Sequence, residues 1–178
     1  MNPDQLPDFV LPLKVVEQGY RVVYAPEAIL KEASLKGAKD EYKMRVRVAL
    51  RALWGMWDMR HLLTLSRSPA PTLSPSILFA WQLWSHKVLR YLCFMFLVLI
   101  YFSNIALLPE GSLYRILFIM QTMAYLGAIM FPLLKEKAFG SRLLYLLNYF
   151  VLLNLASAHA FMKFLLGQKT VIWTPRKG

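Results

Sequence analysis

The sequence predicts a mainly α-helical integral membrane protein with interfacial amphipathic helices and about three transmembrane helices, preceded by a small α/β remnant. Apolar residues make up 57% of the 178 residues and charged residues only 17%, so much of the chain must face a medium other than water. Residues 91–109, 116–134 and 143–162 contain no Asp, Glu, Lys or Arg. Each window has about the 20 residues that cross a bilayer core. The first 37 residues instead show a helix pattern followed by a strand pattern.

The charge distribution favours lipid over nucleic acid as a partner. The net charge is +11, and 13 of the 21 Lys and Arg residues lie in the first 90 residues. These cations stand beside apolar windows and belong to no nucleic-acid-binding motif, so we expect a bilayer with anionic lipids and no nucleic acid. The N-terminus has no signal-peptide pattern, and we expect it to continue from a longer domain. Cys93 is the only cysteine, which excludes an internal disulfide.

Residues 1–37 form the predicted remnant of an α/β domain. A helix is expected from Asp8 to Gln18, with Gly19 as a left-handed cap and a strand from Tyr20 to Tyr24 that ends before Pro26. One helix and one strand cannot bury a core. These residues are therefore either a flexible extension or the last helix and strand of a larger domain.

Residues 38–90 are expected to form basic interfacial helices. Asp40 is the expected N-cap of the first of them, and Gly55 should weaken it near its end. Two stripes run along this helix: an apolar one (Tyr42, Val46, Leu50, Leu53 and Trp57) and a cationic one (Lys43, Arg47, Arg51 and Trp54). The cationic stripe either lies on anionic lipid or faces a phosphate-bearing substrate.

The remaining elements follow the apolar windows. A proline-rich linker covers residues 66–75, and a second amphipathic segment, 76–90, carries Trp81 and Trp84 for the membrane interface. Transmembrane helices are expected at about 91–108, 116–134 and 143–166, before a basic tail, 167–178. The third contains four polar residues, which either bond between helices or line a conduit: Asn148, Asn154, Ser157 and His159.

The direction of the three spans is only partly set by charge. The basic N-terminal region and the connection 135–142 favour the cytoplasm. Three crossings would place the tail outside, whereas Lys169, Arg176 and Lys177 favour the inside. Either the third apolar stretch does not cross, or the tail is translocated.

The residues that could carry chemistry are few. His61, His86 and His159 lie on separate segments without neighbouring ligands, so no metal site is expected, and neither a phosphate-binding glycine loop nor a nucleophile elbow is present. Asp8 begins a predicted helix, where it is either an N-cap or a general base. The guanidinium groups of the cationic stripe suit diphosphate, and the indole of Trp54 suits a sugar ring.

The run PDFVLPLKVVEQGYRVVYAPEA, residues 7–28, followed by EYKMRVRVALR, residues 41–51, resembles a known enzyme family. It is similar to the closing part of the catalytic domain of membrane-bound family-2 (GT-A type) glycosyltransferases of the polysaccharide-synthase kind. There an acidic pair precedes a helix, and a glycine-tyrosine-arginine strand ends in a proline-glutamate-alanine turn. Interfacial helices and C-terminal spans continue the resemblance over essentially the whole chain. Pro7 stands in place of the first acid, and Val48 follows Arg47 where the family has tryptophan.

The resemblance implies that Asp8 is the general base for the acceptor hydroxyl and that Arg47, with or without Arg51, contacts the diphosphate and acceptor. Together with the chemistry of the cationic stripe, it predicts that Lys43, Arg47 and Arg51 hold diphosphate and that Trp54 stacks on the acceptor. It implies no cofactor in this chain, with Mg²⁺ or Mn²⁺ expected for the full-length family member.

The implied protein is the C-terminal fragment of an inner-membrane glycosyltransferase with a cytoplasmic N-terminal region. It would transfer sugar from a nucleotide-sugar to a polysaccharide or lipid-linked acceptor, and would be inactive without the donor-binding half. The alternative is a non-enzymatic membrane subunit or scaffold that binds anionic lipid or a partner protein.

Overall fold

The computed structural model describes residues 5–29, 38–64, 77–131 and 141–170, which are mainly helical. The chain divides into two compact units, Met1–Tyr91 with His159–Gly178 (unit 1) and Leu92–Ala158 (unit 2). The elements run in the order α1 (Pro7–Glu17), α2 (Ala38–Asp58), a 3₁₀ turn (Arg60–Leu63), α3 (Ile77–Leu83), a π turn (Trp84–Val88), α4 (Leu89–Ala106), a 3₁₀ turn (Leu108–Glu110), α5 (Ser112–Met130) and α6 (Ser141–Leu165).

Helix α1 ends in the predicted glycine cap. Gly19 has φ +88°, its N–H donates to the Val16 carbonyl at 2.9 Å, and the Tyr20 N–H donates to the Val15 carbonyl at 3.1 Å. This pair of bonds is a Schellman motif, which glycine adopts without steric cost. The expected N-cap role of Asp8 is wrong, because the cap position is Leu6 and makes no side-chain bond. Asp8 is the second residue of the helix and lies in its first turn, where the helix dipole favours a carboxylate.

The predicted strand Tyr20–Tyr24 is wrong. Residues 20–25 have no regular secondary structure, and the side chains of Val23 and Tyr24 are 82% and 87% exposed. A strand requires a neighbour that takes up its backbone hydrogen bonds, and the described residues contain no other strand. The predicted α/β remnant is therefore not supported.

Unit 1 has its core where α1 crosses α2. Leu50 and Val10 are the largest fully buried side chains, and the predicted apolar face of α2 is buried at Val46, Leu50 and Leu53. Helix α2 continues through Gly55 to Asp58. A Cβ on Gly55 would lie 2.8 Å from Val10 Cγ2, so the glycine allows the two helices to approach closely. Gly55 therefore contributes to the packing of α1 on α2, a role that the sequence of α2 alone does not reveal.

Two cross-links hold the ends of α1 to the end of α2 and the turn after it. The Gln5 amide donates to Asp58 Oδ2 at 2.6 Å, and His61 Nε2 donates to Glu17 Oε1 at 2.6 Å. Helix α2 begins at Ala38, two residues before the predicted N-cap Asp40, which lies in the first helical turn. That N-cap prediction is therefore wrong.

Three helices are long and apolar enough to cross a membrane: Ile77–Ala106, Ser112–Met130 and Arg142–Leu165. The first joins the predicted interfacial segment to the first predicted span through the π turn Trp84–Val88. Its 30 residues give a length of roughly 45 Å, more than the ~30 Å of a hydrocarbon core. A helix of this length either tilts within that core or extends beyond it.

Polar side chains join the helices of unit 2. Asn104 on α4 is buried and donates to Gln121 Oε1 on α5 at 3.1 Å, and the Gln121 amide donates to the Tyr125 hydroxyl at 2.8 Å. On α6, Asn148 donates to the Ala128 carbonyl of α5 at 2.7 Å, which confirms interhelical bonding for this residue. Asn154 instead donates to Phe150 O of its own helix at 2.9 Å.

Candidate functional site

The candidate site is a cavity of about 270 Å³ in unit 1, where the first half of α2 meets the end of α6. Its lining combines cations, hydroxyl groups and two apolar side chains. The lining residues are Tyr42, Lys43, Val46, Arg47, Leu50, His159, Lys163 and Thr170.

The α2 side of the cavity contains two residues predicted from the sequence. Lys43 and Arg47 are one helical turn apart, so both side chains reach the same face. Lys43 is exposed and Arg47 is half-buried. Val46 and Leu50, which belong to the buried face of α2, complete this wall and fix the helix against the core.

The α6 side contributes His159 and Lys163, again one turn apart. The Tyr42 hydroxyl lies 3.1 Å from His159 Nδ1, and their ring centroids are 6.0 Å apart. This hydrogen bond joins the first turns of α2 to the last turns of α6. It also places the imidazole at the rim beside Lys43 and Lys163.

A second glycine cap turns the chain after α6. Gly167 has φ +70°, its N–H donates to Phe164 O at 3.0 Å, and the Gln168 N–H donates to Lys163 O at 2.9 Å. This is again a Schellman motif. It ends α6 and directs the following residues along α2, so that Thr170 reaches the cavity.

The electrostatics of the cavity favour an anion. Lys43, Arg47 and Lys163 supply three positive charges, and none of the lining residues is acidic. Guanidinium and ammonium groups donate strong, charge-assisted hydrogen bonds to phosphate oxygens. The volume is close to the lower end, ~300 Å³, of typical ligand pockets. It therefore suits a phosphate-bearing group better than an entire nucleotide-sugar.

Arg51 and Trp54 lie outside the lining of this cavity. Arg51 donates to the backbone carbonyl of Gln5. The Trp54 indole N–H donates to Gln168 O at 2.9 Å, and its ring meets Phe164 edge-on with centroids 4.7 Å apart. The Lys169 ammonium lies 4.7 Å from the centroid of the Trp54 ring. Arg51 thus holds the segment that precedes α1, and Trp54 holds the end of α6 and the residues that follow it.

Asp8 is exposed on the first turn of α1 and is not one of the residues lining the cavity. The next two residues, Phe9 and Val10, are buried and fix α1 on α2. The structure therefore gives Asp8 a rigid position and access to solvent, and its role as a base stays a prediction.

Sequence reasoning missed half of the cavity. Tyr42 was assigned to the apolar stripe, His159 was grouped with the polar residues of the third span, and Lys163 and Thr170 were not singled out. One signal was present: His159 and Lys163 are four residues apart on one face of an otherwise apolar helix. The partner helix of that face could not be read from local sequence.

Within residues 5–29, 38–64, 77–131 and 141–170, no three His, Cys, Asp or Glu side chains lie close enough to hold a metal ion. The Mg²⁺ or Mn²⁺ implied for a full-length glycosyltransferase therefore has no ligand set in this part of the chain.

No protein-family model matches the chain, and neither a curated protein nor a solved structure matches it.

Proposed function

We propose that this protein is a membrane-embedded part of a family-2 type glycosyltransferase and that it holds the diphosphate of the substrate between α2 and α6. The observation that carries this proposal is the cavity in which Lys43 and Arg47 face Lys163. The resemblance of residues 7–28 and 41–51 to the closing part of that catalytic domain supports the same assignment. The reaction moves a sugar from a nucleotide-sugar to a polysaccharide or lipid-linked acceptor.

The cavity supports a specific role for each of its cationic residues in binding diphosphate. The Arg47 fork binds two phosphate oxygens, and the Lys43 and Lys163 ammonium groups neutralise charge from either side. Charge that develops on a leaving diphosphate is stabilised best by donors that are already in position. The packing of Val46 and Leu50 against the core provides this rigidity on the α2 side.

In this proposal Asp8 accepts the proton of the attacking acceptor hydroxyl. Its place in the first turn of a helix, where negative charge is favoured, supports the role. A separate catalytic domain supplies the donor-sugar and metal site. Trp54 stacks on the acceptor through the ring face that the Lys169 ammonium does not cover, or through both faces when that ammonium moves away.

The proposed location is the inner membrane, with several passes and a cytoplasmic N-terminal region. Three helices of suitable length and composition support the membrane location. The concentration of Lys and Arg in the first 90 residues supports the orientation, because cytoplasmic loops are enriched in these residues.

Pyrophosphate binding tests the anion site without assuming a base or a sugar. The full chain in detergent micelles is titrated with pyrophosphate by calorimetry, and Arg47→Gln is compared with wild type. Loss of a charged hydrogen bond of about 1.5–3 kcal/mol weakens binding by roughly 10- to 150-fold. Lys39→Gln removes an exposed cation from the same helix, outside the cavity, and should change the Kd little.

Equal effects of Arg47→Gln and Lys39→Gln would show that only the general positive field attracts the anion, and would remove the support for a built site. Glycosyl transfer is tested separately, with nucleotide-sugar and Mg²⁺. The chain alone is expected to show no turnover. Turnover by the chain alone would contradict the proposal that a separate catalytic domain supplies the donor-sugar and metal site. Asp8→Asn should abolish transfer once the catalytic domain is present.

A second candidate is a non-enzymatic subunit that binds an anionic lipid head group in the same cavity. The position of the cavity at the end of an apolar helix favours it, because a lipid phosphate lies at that level of a membrane. Two results together would favour this candidate over glycosyl transfer. Labelled anionic lipid would bind the wild type but not Arg47→Gln, and pyrophosphate would not displace the bound lipid.

A further inference from the structure

The residues that follow α6 in unit 1, 167–170, form a short strap that turns back along α2. Gly167, with φ +70°, has the left-handed conformation that glycine adopts without steric cost, and it changes the direction of the chain. Residues 168–170 have no regular secondary structure. Their position therefore depends on the contacts that side chains of α2 make with them.

Trp54 holds the strap at its middle. The indole N–H donates to the Gln168 carbonyl at 2.9 Å, and the Lys169 ammonium lies 4.7 Å from the centroid of the same ring. The ring is itself fixed, because it meets Phe164 edge-on with centroids 4.7 Å apart. One side chain of α2 thus contacts two consecutive residues of the strap.

The hold on Gln168 determines where Thr170 lies. Thr170 lines the cavity together with Leu50, which precedes Trp54 by four residues, or ~6 Å along the helix axis. Two residues of extended chain reach at most ~7 Å. The chain between Gln168 and Thr170 therefore has little slack, and a shift of Gln168 by a few ångströms withdraws Thr170 from the cavity.

The side chain of Thr170 suits an anion in this cavity. It is half-buried and lines the cavity beside cations of both helices. The other hydroxyl of the lining, that of Tyr42, lies 3.1 Å from His159 Nδ1 and is engaged with that ring. The Thr170 hydroxyl can rotate to donate to a phosphate oxygen, and hydrogen bonds to charged acceptors are stronger than neutral ones.

We infer that the Thr170 hydroxyl is a ligand of the bound anion and that Trp54 is the positioning residue that keeps it in the cavity. The inference rests on the proposed anion site but not on glycosyl transfer, and this role of Trp54 is additional to stacking on the acceptor. Trp54 then controls anion affinity without touching the anion. Release of the strap raises the Kd in proportion to the fraction of molecules in which Thr170 has left the cavity.

A double-mutant cycle tests this coupling, with pyrophosphate titrated by calorimetry into the full chain in detergent micelles. Thr170→Val removes the hydroxyl and keeps the branched shape, and it should weaken binding roughly tenfold. Trp54→Phe removes the indole N–H and keeps a ring, and it should weaken binding by about two- to tenfold. In the Thr170→Val background, Trp54→Phe should have no further effect, because the group that it positions is already gone.

Trp57→Phe is the matched control. The Trp57 ring also lies beside Phe164, with centroids 6.0 Å apart, but it is 53% exposed and lies under the Arg60 guanidinium. The same loss of an indole at this position should leave the Kd within about twofold of wild type. Effects of Trp54→Phe and Thr170→Val that multiply in the double variant would overturn the inference, as would an unchanged Kd for Thr170→Val or equal effects of Trp54→Phe and Trp57→Phe.

A cysteine at position 170 reports the strap without any anion. Thr170→Cys is made in a Cys93→Ala background, and the rate of its modification by a charged methanethiosulfonate is measured. Adding Trp54→Phe should raise this rate by about two- to tenfold, the factor expected for loss of one hydrogen bond, whereas Trp57→Phe should leave it unchanged.

An equal rate with and without Trp54→Phe would overturn the inference, whether or not pyrophosphate binds. Failure of the proposed anion site gives a different result. In that case the wild type does not bind pyrophosphate, or Arg47→Gln and Lys39→Gln have equal effects, while the rate at position 170 still depends on Trp54.

Discussion

Unit 1 and unit 2 have opposite distributions of polar and apolar side chains. In unit 1 the large buried residues are Leu50 and Val10, and charged residues such as Lys43 are exposed. In unit 2 the buried residues include Asn104, at 9% exposure, while Leu99 and Met120 are 62% and 64% exposed. The α1–α2 part of unit 1 thus buries its large apolar side chains, whereas α4 and α5 of unit 2 expose them.

The difference shows which force stabilises each unit. Unit 1 removes apolar surface from water, which contributes roughly 25 cal/mol per Å². Helices that face lipid gain little in this way, and they associate through close packing and interhelical hydrogen bonds. The bonds of Asn104, Gln121 and Asn148 have this role in unit 2. Equivalent substitutions should therefore have different effects in the two units.

Leucine truncation should separate the units most strongly. Leu50→Ala leaves a cavity in the core of unit 1 and should lower the free energy of unfolding by about 2–5 kcal/mol. Leu99→Ala, on the exposed face of α4, should change it by no more than about 0.5 kcal/mol. Circular dichroism during SDS titration of the protein in mixed micelles measures both. Equal losses of unfolding free energy in the two variants would mean that Leu99 is buried against protein. The proposed difference between the two units would then be wrong.

Glycine substitution should give opposite signs in the two units. At Gly55 an added Cβ would lie 2.8 Å from Cγ2 of Val10, which is fully buried and cannot move away. Overpacking costs about 1–3 kcal/mol, more than the ~1 kcal/mol that alanine gains over glycine in a helix. At Gly127 the nearest atom is Leu144 Cδ2, at 3.2 Å, the end of a flexible side chain. We expect Gly55→Ala to destabilise the fold and Gly127→Ala to leave it unchanged or slightly stabilised, by up to about 1 kcal/mol, in the same titration. Destabilisation by Gly127→Ala alone would contradict this assignment.

Asparagine substitution should have the smallest effect and tests the polar interior of unit 2. Asn104→Leu removes the bond to Gln121 and should cost about 0.6 kcal/mol, the average for interhelical hydrogen bonds in membranes. Asn154→Leu removes only a bond to Phe150 O in the same helix and is the matched control. Labels on α4 and α5 that report their separation during SDS titration provide the readout. If the control costs as much as Asn104→Leu, the pairing of α4 with α5 does not depend on that bond.

Local patterns predicted the helices well and the strand badly. The apolar windows correspond to α4, α5 and α6, and Gly19 ends α1, because helix length, composition and a left-handed cap are properties of neighbouring residues. Tyr20–Tyr24 has the residue types of a strand, yet pairing depends on a partner that the described residues do not contain. The roles of Lys43, Arg47 and Asp8 in substrate chemistry stay predictions.

Composition and periodicity were enough to predict a basic amphipathic helix and three helices apolar enough to span a membrane. Both properties depend on composition and on a period of 3.6 residues. The packing of distant segments explains the remaining features. Gly55 allows α1 to approach α2 closely, Arg51 and Trp54 bond to other segments, and Lys163 lines the same cavity as Lys43 and Arg47. These outcomes depend on which distant segments meet, as Tyr42 and His159 do across 117 positions of the chain. A pattern within one helix cannot contain that information.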